Sequence, residues 1–294
     1  MKRKINRVGT NTLTVSLPSK WARKHGIKPG DELDVEEEGK SLIIGNEKTK
    51  RLGRKTIAIP TTKEFVKRSL YVPYVLGYDE IKIMFKENVV MEKVQETVEM
   101  MTGFEIMEQE KEYCVIKNIA KGEESKFDII IRRLIHLLST MGKELESGIT
   151  KDSKILKGIF TMRKTVGKLT LFSRRILHVN GHKDNDRTIR YYLIVGLLEK
   201  ISIYYNTLTE YYLKRNKAPT PDEIKLIKYV NDQFDFFVKI FFNEEKGKEL
   251  AELKRRTWNV IHNNYFNSKK IDSYVLTYLV MILDKLNHIT QEIY

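Results

Sequence analysis

KINRVGTNTLTVSLPSKWARKHGIKPGDELDVEEEGKSLII (residues 4–44) is the stretch that decides how this chain begins to fold. Leu13, Val15 and Leu17 alternate with Thr12, Thr14 and Ser16, the period-2 signature of a half-buried strand. A first strand over 4–8 precedes this one, over 12–17, and Gly9-Thr10-Asn11 between them is a turn-forming cluster. Pro18-Ser19 opens a short helix with Trp21 and Ala22 inward and Lys20, Arg23 and Lys24 outward. Gly26 ends that helix as a glycine just past a C-cap does. Pro29-Gly30 turns the chain into a third strand, where Leu33 and Val35 alternate, and Glu38-Gly39-Lys40 turns it into Leu42-Ile43-Ile44. Four strands and one helical turn in 45 residues bury too little apolar surface to fold alone. Two copies interleaving their hairpins would supply the missing core.

Charge is divided within the same stretch. Lys2, Arg3, Lys4, Arg7, Lys20, Arg23, Lys24 and Lys28 precede the first carboxylate, and Asp31, Glu32, Asp34, Glu36, Glu37 and Glu38 follow in a block. Such a reversal builds one face for a polyanion and keeps another soluble. Nucleic-acid phosphate is the obvious polyanion, because neutralising it releases condensed counterions. The whole chain carries a net charge of +14, which by itself would also fit a lysine-rich composition. The local run before Asp31 decides for nucleic acid.

Within these residues, Ser16-Leu17-Pro18-Ser19-Lys20-Trp21 followed by His25-Gly26-Ile27-Lys28-Pro29-Gly30-Asp31-Glu32-Leu33 resembles the AbrB/MazE/SpoVT type of swapped-hairpin DNA-binding domain. The resemblance implies an intertwined homodimer, a small swapped-hairpin β-barrel, docking its basic face on double-stranded DNA. Carried over by position, the contact residues are Arg3, Lys4, Arg7, Lys20, Arg23 and Lys24. Thr10 and Asn11 at the hairpin tip would reach phosphate or a base edge. Many members have an arginine between the glycine and the second strand, where this chain has Thr10-Asn11-Thr12, which weakens sequence readout through the turn.

Working outward, residues 46–61 read as a charged linker containing KTKRLGRK (48–55) and ending in a strand at Thr56-Ile57-Ala58-Ile59. Helical spacing over 62–76 and 89–102 alternates with strands at 81–85, 104–109 and 112–117, a small open α/β sandwich. From Lys126 the pattern is helical: the first helix runs from Phe127, then come 155–180, 185–213, 221–243, 247–265 and 272–292. Thr220-Pro221-Asp222-Glu223 has the N-cap, the first-turn proline and the glutamate of a capping box. The break before Pro221 divides six helices into two sets of three. The chain is thus a multidomain α+β protein. Its parts are a head (1–47), a linker with a small α/β domain (48–120), and an all-α body (121–294) of two three-helix bundles, 125–214 and 221–294.

The body resembles PhoU, a phosphate-uptake regulator built of two three-helix repeats. Arg190 with Leu197-Leu198-Glu199-Lys200-Ile201-Ser202 looks like that family's arginine and LERIGD motif, and residues 282–288 stand in the same place in the second repeat. The pairing of the two halves resembles archaeal PhoU-type regulators. It implies a regulator of phosphate uptake with phosphate-transport or signalling proteins as further partners. Bundles of this family hold metal through carboxylates at i and i+4. Here Glu199 is followed four residues on by Ile203, and Asp284 by His288. An Asp/His pair can hold a transition metal weakly, but the remaining carboxylates of a cluster are missing, so no cofactor is expected. His178 and His182 repeat the spacing, with Gly181 ending the helix between them.

The single cysteine, Cys114, excludes an internal disulfide and a cysteine-cluster metal site. Its apolar neighbours mark a buried strand thiol. No apolar run reaches the ~18 residues of a membrane span, which leads us to expect a cytoplasmic protein without membrane insertion. No nucleophile beside a base, acid pair or phosphate loop is present, so an enzyme is not expected. The aromatics of 191–242 stand at helical spacing and read as packing, and Arg174-Arg175 and Lys254-Arg255-Arg256 read as solvated helix faces. The leading reading is a DNA-binding transcription regulator; a phosphate-transport adaptor and an antitoxin-like module are the alternatives.

Overall fold

The computed structural model describes residues 2–24, 26–38, 41–45, 52–59, 63–86, 88–120, 127–182, 184–242, 247–267 and 270–293. The turn at 39–40 and the basic residues 46–51 therefore lie outside the described residues. The chain divides into two compact units, Met1–Thr49 and Lys50–Tyr294.

The first unit is two hairpins joined through a short helix. β1 (Ile5–Val8) pairs antiparallel with β2 (Thr12–Val15), α1 spans Ser19–Lys24, and β3 (Asp34–Glu38) pairs antiparallel with β4 (Ser41–Gly45). These elements follow the alternation and the turn residues closely. Gly9 bends the first hairpin with φ +71°. Gly26, at φ +69°, closes α1: the Ile27 amide donates to the Ala22 carbonyl at 3.0 Å and the Gly26 amide to the Arg23 carbonyl at 3.3 Å. The hairpins form separate two-stranded sheets, and no barrel closure is found within one chain. One expectation is corrected. Every residue of β1 and β2 is exposed, so β2 is not half-buried. The reason is geometric: a lone hairpin is one layer, and no described residue of the same unit buries its apolar side chains.

The second unit begins with a four-stranded sheet in the order β5-β6-β8-β7. β5 (Leu52–Ala58) starts earlier than its Thr56–Ile59 signal because it pairs parallel with β6 (Tyr78–Met84) from Leu52 onward. β8 (Tyr113–Asn118) pairs antiparallel with both β6 and β7 (Phe104–Gln109). One face of the sheet buries Ile81, Ile83, Cys114 and Ile116 beneath α2 (Lys63–Val75) and α3 (Asn88–Val98). The opposite face carries a cross-strand rung in which Glu80 bridges Arg54 and Lys117, the latter at 3.1 Å. Cys114 is fully buried, and burial pushes its thiol up to about 12, so it is inert at neutral pH.

Six helices follow: α4 (Phe127–Thr150), α5 (Leu156–Val179), α6 (Thr188–Lys214), α7 (Pro221–Phe241), α8 (Gly247–Asn267) and α9 (Ser273–Glu292). Their apolar stripes merge into one continuous core in which Leu134, Tyr205, Phe234 and Leu283 are enclosed. Close approach of α4 and α7 rests on Gly142, whose carbonyl accepts from Asn231 Nδ2 at 3.0 Å. The capping box at α7 is present in both directions. Glu223 N–H donates to Thr220 Oγ1 at 3.2 Å, and Thr220 N–H to Glu223 Oε2 at 3.1 Å. Glu223 is fully buried and also accepts from Arg215 Nη1 and from the Asp272 amide at 3.1 Å, fastening the α6–α7 turn to the start of α9. The aromatic-rich segment is packing, as its spacing predicted: Tyr205, Phe234 and Phe237 are core side chains, and Tyr211 stacks on Tyr274 at 4.6 Å.

The sheet section is joined to the helices through α5. Leu171 enters the core beneath the sheet, and one turn on lies Arg175, only 3% exposed. Its Nη1 donates to the carbonyls of Tyr74 (2.6 Å) and Tyr78 (3.0 Å), and its Nη2 to Asp79 Oδ1 at 2.9 Å. The guanidinium also lies against the rings of Tyr74 and Phe104. Arg175 thus ties the last turn of α2, through Tyr74, to the first residues of β6, Tyr78 and Asp79. The solvated-face reading of Arg174-Arg175 is therefore corrected, whereas Arg255 and Arg256 are solvated and hold Glu252 between them.

Candidate nucleic-acid interface

The proposed contact residues all sit on β1, its leader, the hairpin tip or α1. Ladder pairing places Ile5 opposite Val15 and Arg7 opposite Leu13, so Ile5, Arg7, Leu13 and Val15 share one face of the hairpin. Asn6, Val8, Thr12 and Thr14 share the other, where Thr14 Oγ1 donates to the Asn6 carbonyl at 3.3 Å. Thr10 and Asn11 stand at the exposed tip. On α1, Lys20, Arg23 and Lys24 fall at i, i+3 and i+4, one stripe of the helix.

Arg3, Lys4, Arg7, Lys20, Arg23 and Lys24 are all exposed, and among the described residues none is engaged in an ion pair. The acids of the unit are kept elsewhere: Asp31 folds back to accept from the Lys28 amide at 2.8 Å, bracing the Pro29-Gly30 turn with Gly30 at φ +96°. Asp34, Glu37 and their neighbours lie on β3, which pairs only with β4. The cations are therefore free to meet an external anion without first breaking an internal bridge. Beside them Ile5 and Leu13 are 67% and 66% exposed, and Val35 and Leu42 protrude from the second hairpin. Small hairpins with this much bare apolar surface are incomplete alone.

The weak metal candidates are occupied by cations instead. Glu199 accepts from Arg174 at 2.9 Å and lies 3.7 Å from Arg163. Asp284 pairs with Lys285 at 2.7 Å and with His288 at 3.6 Å. No group of three metal-capable side chains occurs among the described residues. His178 is exposed on α5, whereas His182, past the helix end at Gly181 (φ +72°), packs its ring between Phe127 and Tyr191. The two do not form a pair site.

The sequence reading missed Arg175 and the Arg163–Glu199–Arg174 triad. A signal existed for the first: Leu171 and Arg175 are four apart, so an arginine shares the face of a core leucine.

Residues 7–53 match the model of the family described as antidote-toxin recognition MazE, bacterial antitoxin. The chain thus contains a MazE/AbrB-type domain at 7–53, followed by an α/β section and a large helical region. No curated protein matches the chain, and no solved structure does. Among the described residues no helix is long and apolar enough to cross a membrane.

Proposed function

We propose that the protein is a DNA-binding transcription regulator whose N-terminal unit grips duplex DNA as a homodimer, chiefly through phosphates. The observation that carries this reading is the set of six exposed cations without internal partners, four of them (Arg7, Lys20, Arg23, Lys24) inside the MazE-type domain and Arg3 and Lys4 just ahead of it. Bare Ile5, Leu13, Val35 and Leu42 support a second copy as the missing layer. Each head makes few contacts, so coupling two or more heads through the rest of the chain raises avidity. The helical body senses or relays a signal. We assign that signal to phosphate status, on the likeness of α6 and α9 to the repeats of PhoU.

The test is a salt series of duplex mobility shifts. Replacing Arg7, Lys20, Arg23 and Lys24 together with alanine is expected to abolish the shift while leaving the assembly dimeric. Single replacements should flatten the slope of log affinity against log salt by about 0.9 per lost phosphate contact. Unchanged affinity in the quadruple variant would end the proposal.

A second reading, an antidote to a toxin protein, is favoured by the description of the matching family. Growth arrest by a neighbouring gene, relieved on co-expression of this chain, would select it over the regulator. Binding to a phosphate transporter with no duplex shift would select the adaptor.

A further inference from the structure

Where α2, α5 and α6 meet, two guanidiniums share one carboxylate. Arg174 Nη2 donates to Glu199 Oε2 at 2.9 Å, while Arg163 Nη2 stands 3.7 Å from Glu199 Oε1, too far for a hydrogen bond. The three side chains are 23–30% exposed, so the cluster is half-buried but open to solvent. Arg174 Nε is enclosed and has no acceptor. Tyr71 of α2 feels the same charges. Burial, with Glu199 adding and Arg163 opposing, pushes its hydroxyl up to about 12, so it is a neutral donor at pH 7.

The balance of donors and acceptors is lopsided. Each guanidinium brings five N–H donors, and one carboxylate offers about four lone-pair sites. The net charge of the triad is +1. One arginine would suffice for a strut between α5 and α6; the second adds a desolvated cation that Glu199 holds only loosely, an arrangement that costs stability unless something pairs with it. Backbone shape favours the pair as well. A Cβ at Gly167 would stand 3.0 Å from Arg163 Nη1, and one at Gly196 3.3 Å from Arg174 Nη2, so each guanidinium occupies room that an ordinary side chain would take.

We propose that Arg163 and Arg174 are the receiving groups of a site for a small tetrahedral oxyanion, with inorganic phosphate as its type. Planar guanidiniums match two oxygens of such an anion, and its remaining oxygens suit the further Nη–H groups of the pair and Tyr71 O–H. Glu199 is the internal competitor that holds both arginines when the anion is absent. This inference stands on the donor surplus and does not require that the head bind DNA.

The experiment uses the full chain with Arg3, Lys4, Arg7, Lys20, Arg23 and Lys24 replaced by alanine, so that none of the head's candidate contact cations competes for the anion. Inorganic phosphate is titrated at constant ionic strength, with calorimetric heat and melting temperature as readouts. Saturable binding of one phosphate per chain is expected, with the melting temperature rising as the ligand saturates. Arg163→Gln should weaken binding by about tenfold or more. Gly167→Ala, which crowds Arg163 without removing it, should weaken it less. Glu199→Gln should do the opposite: its unliganded form melts lower, yet it binds phosphate more tightly because the competing carboxylate is gone. A structural ion pair alone predicts no phosphate effect in any variant. Absence of saturable heat up to about 10 mM in both the parent and Glu199→Gln would overturn the proposal. Binding indifferent to Arg163→Gln and Gly167→Ala would overturn it as well. The duplex shift, measured on the chain with its head intact, reports separately on the regulator reading.

Discussion

The two units solve the problem of buried charge in opposite ways. In residues 50–294 the two fully buried charged side chains described are both matched: Arg175 by two carbonyls and Asp79, Glu223 by Arg215 and two amides. Among the described residues of 1–49 no side chain is fully buried, though Leu17, Trp21, Ile27 and Leu33 are partly covered. Arg3, Lys4, Arg7, Lys20, Arg23 and Lys24 face solvent unpaired, and Ile5, Leu13, Val35 and Leu42 stand bare. Matched burial belongs to a unit that is finished as one chain. Unmatched exposure of both kinds belongs to a unit whose partners lie outside it, one apolar and one anionic.

The sharpest break in that comparison would come from Arg175→Ala. Removing the guanidinium takes three charge-assisted hydrogen bonds away, although Asn118 still reaches Asp79 and the Gly77 amide still reaches the Tyr74 carbonyl, and should cost about 2–4 kcal/mol. Chemical denaturation should register that loss, and the sheet section should exchange its amides faster, while duplex binding by the head persists at temperatures where the variant is folded. A loss below about 1 kcal/mol would mean that the clasp is an ordinary surface contact. Leu13→Asp is the mirror experiment. It should leave the melting of the helical body unchanged, yet dissociate the head dimer and lower duplex affinity by about 100-fold through lost avidity. Sedimentation and mobility shifts would read the two effects. A dimer that survives the aspartate would place the interface elsewhere. Gly142→Ala acts on packing alone. Its Cβ would stand 2.3 Å from Asn231 Oδ1 and 2.9 Å from the Tyr205 hydroxyl, and should cost about 1–3 kcal/mol without touching the head.

The same contrast explains which parts of the molecule were legible in its sequence. Helices with long apolar stripes announced themselves, and α4 to α9 lie within a few residues of their predicted bounds because periodicity and burial agree. The Thr220–Glu223 box was legible for a local reason: both halves of the motif sit within one turn. In the head, strand positions were legible but burial was not, since alternation in β2 records a surface that one chain does not cover. Arg175 and the Arg163–Glu199–Arg174 triad escaped because their partners lie far off in sequence, on other elements, and an arginine pair on a helix looks the same whether it faces water or a neighbouring section. Exposure of the candidate contacts Arg3, Lys4, Arg7, Lys20, Arg23 and Lys24 followed from the charge pattern, whereas the sharing of one hairpin face by Arg7, Ile5, Leu13 and Val15 needed the register.

Acid provides the smallest and most selective probe of the difference. Asp272 caps α9, accepting from the amides of Tyr274 (2.9 Å) and Val275 (3.4 Å) and from the Tyr211 hydroxyl at 2.7 Å. Burial alone would raise its carboxyl, but these donors and Arg215 outweigh burial and hold it below the usual carboxylate range. A depressed folded value means that the unfolded chain binds the proton first as the pH falls. The carboxylate therefore adds stability that is fully present above the unfolded value of about 3.9 and is lost as pH drops through the folded one. The melting temperature of the helical body should accordingly fall by a few degrees over that window. Asp272→Asn keeps a side chain that caps but cannot titrate, so it should melt slightly lower at pH 6 and show a shallower acid slope. The exposed cations of the head are not matched to internal carboxylates, so their duplex affinity should be the same in both proteins. Parallel slopes in wild type and variant would remove Asp272 from the account and leave the cap as a matter of hydrogen bonding alone.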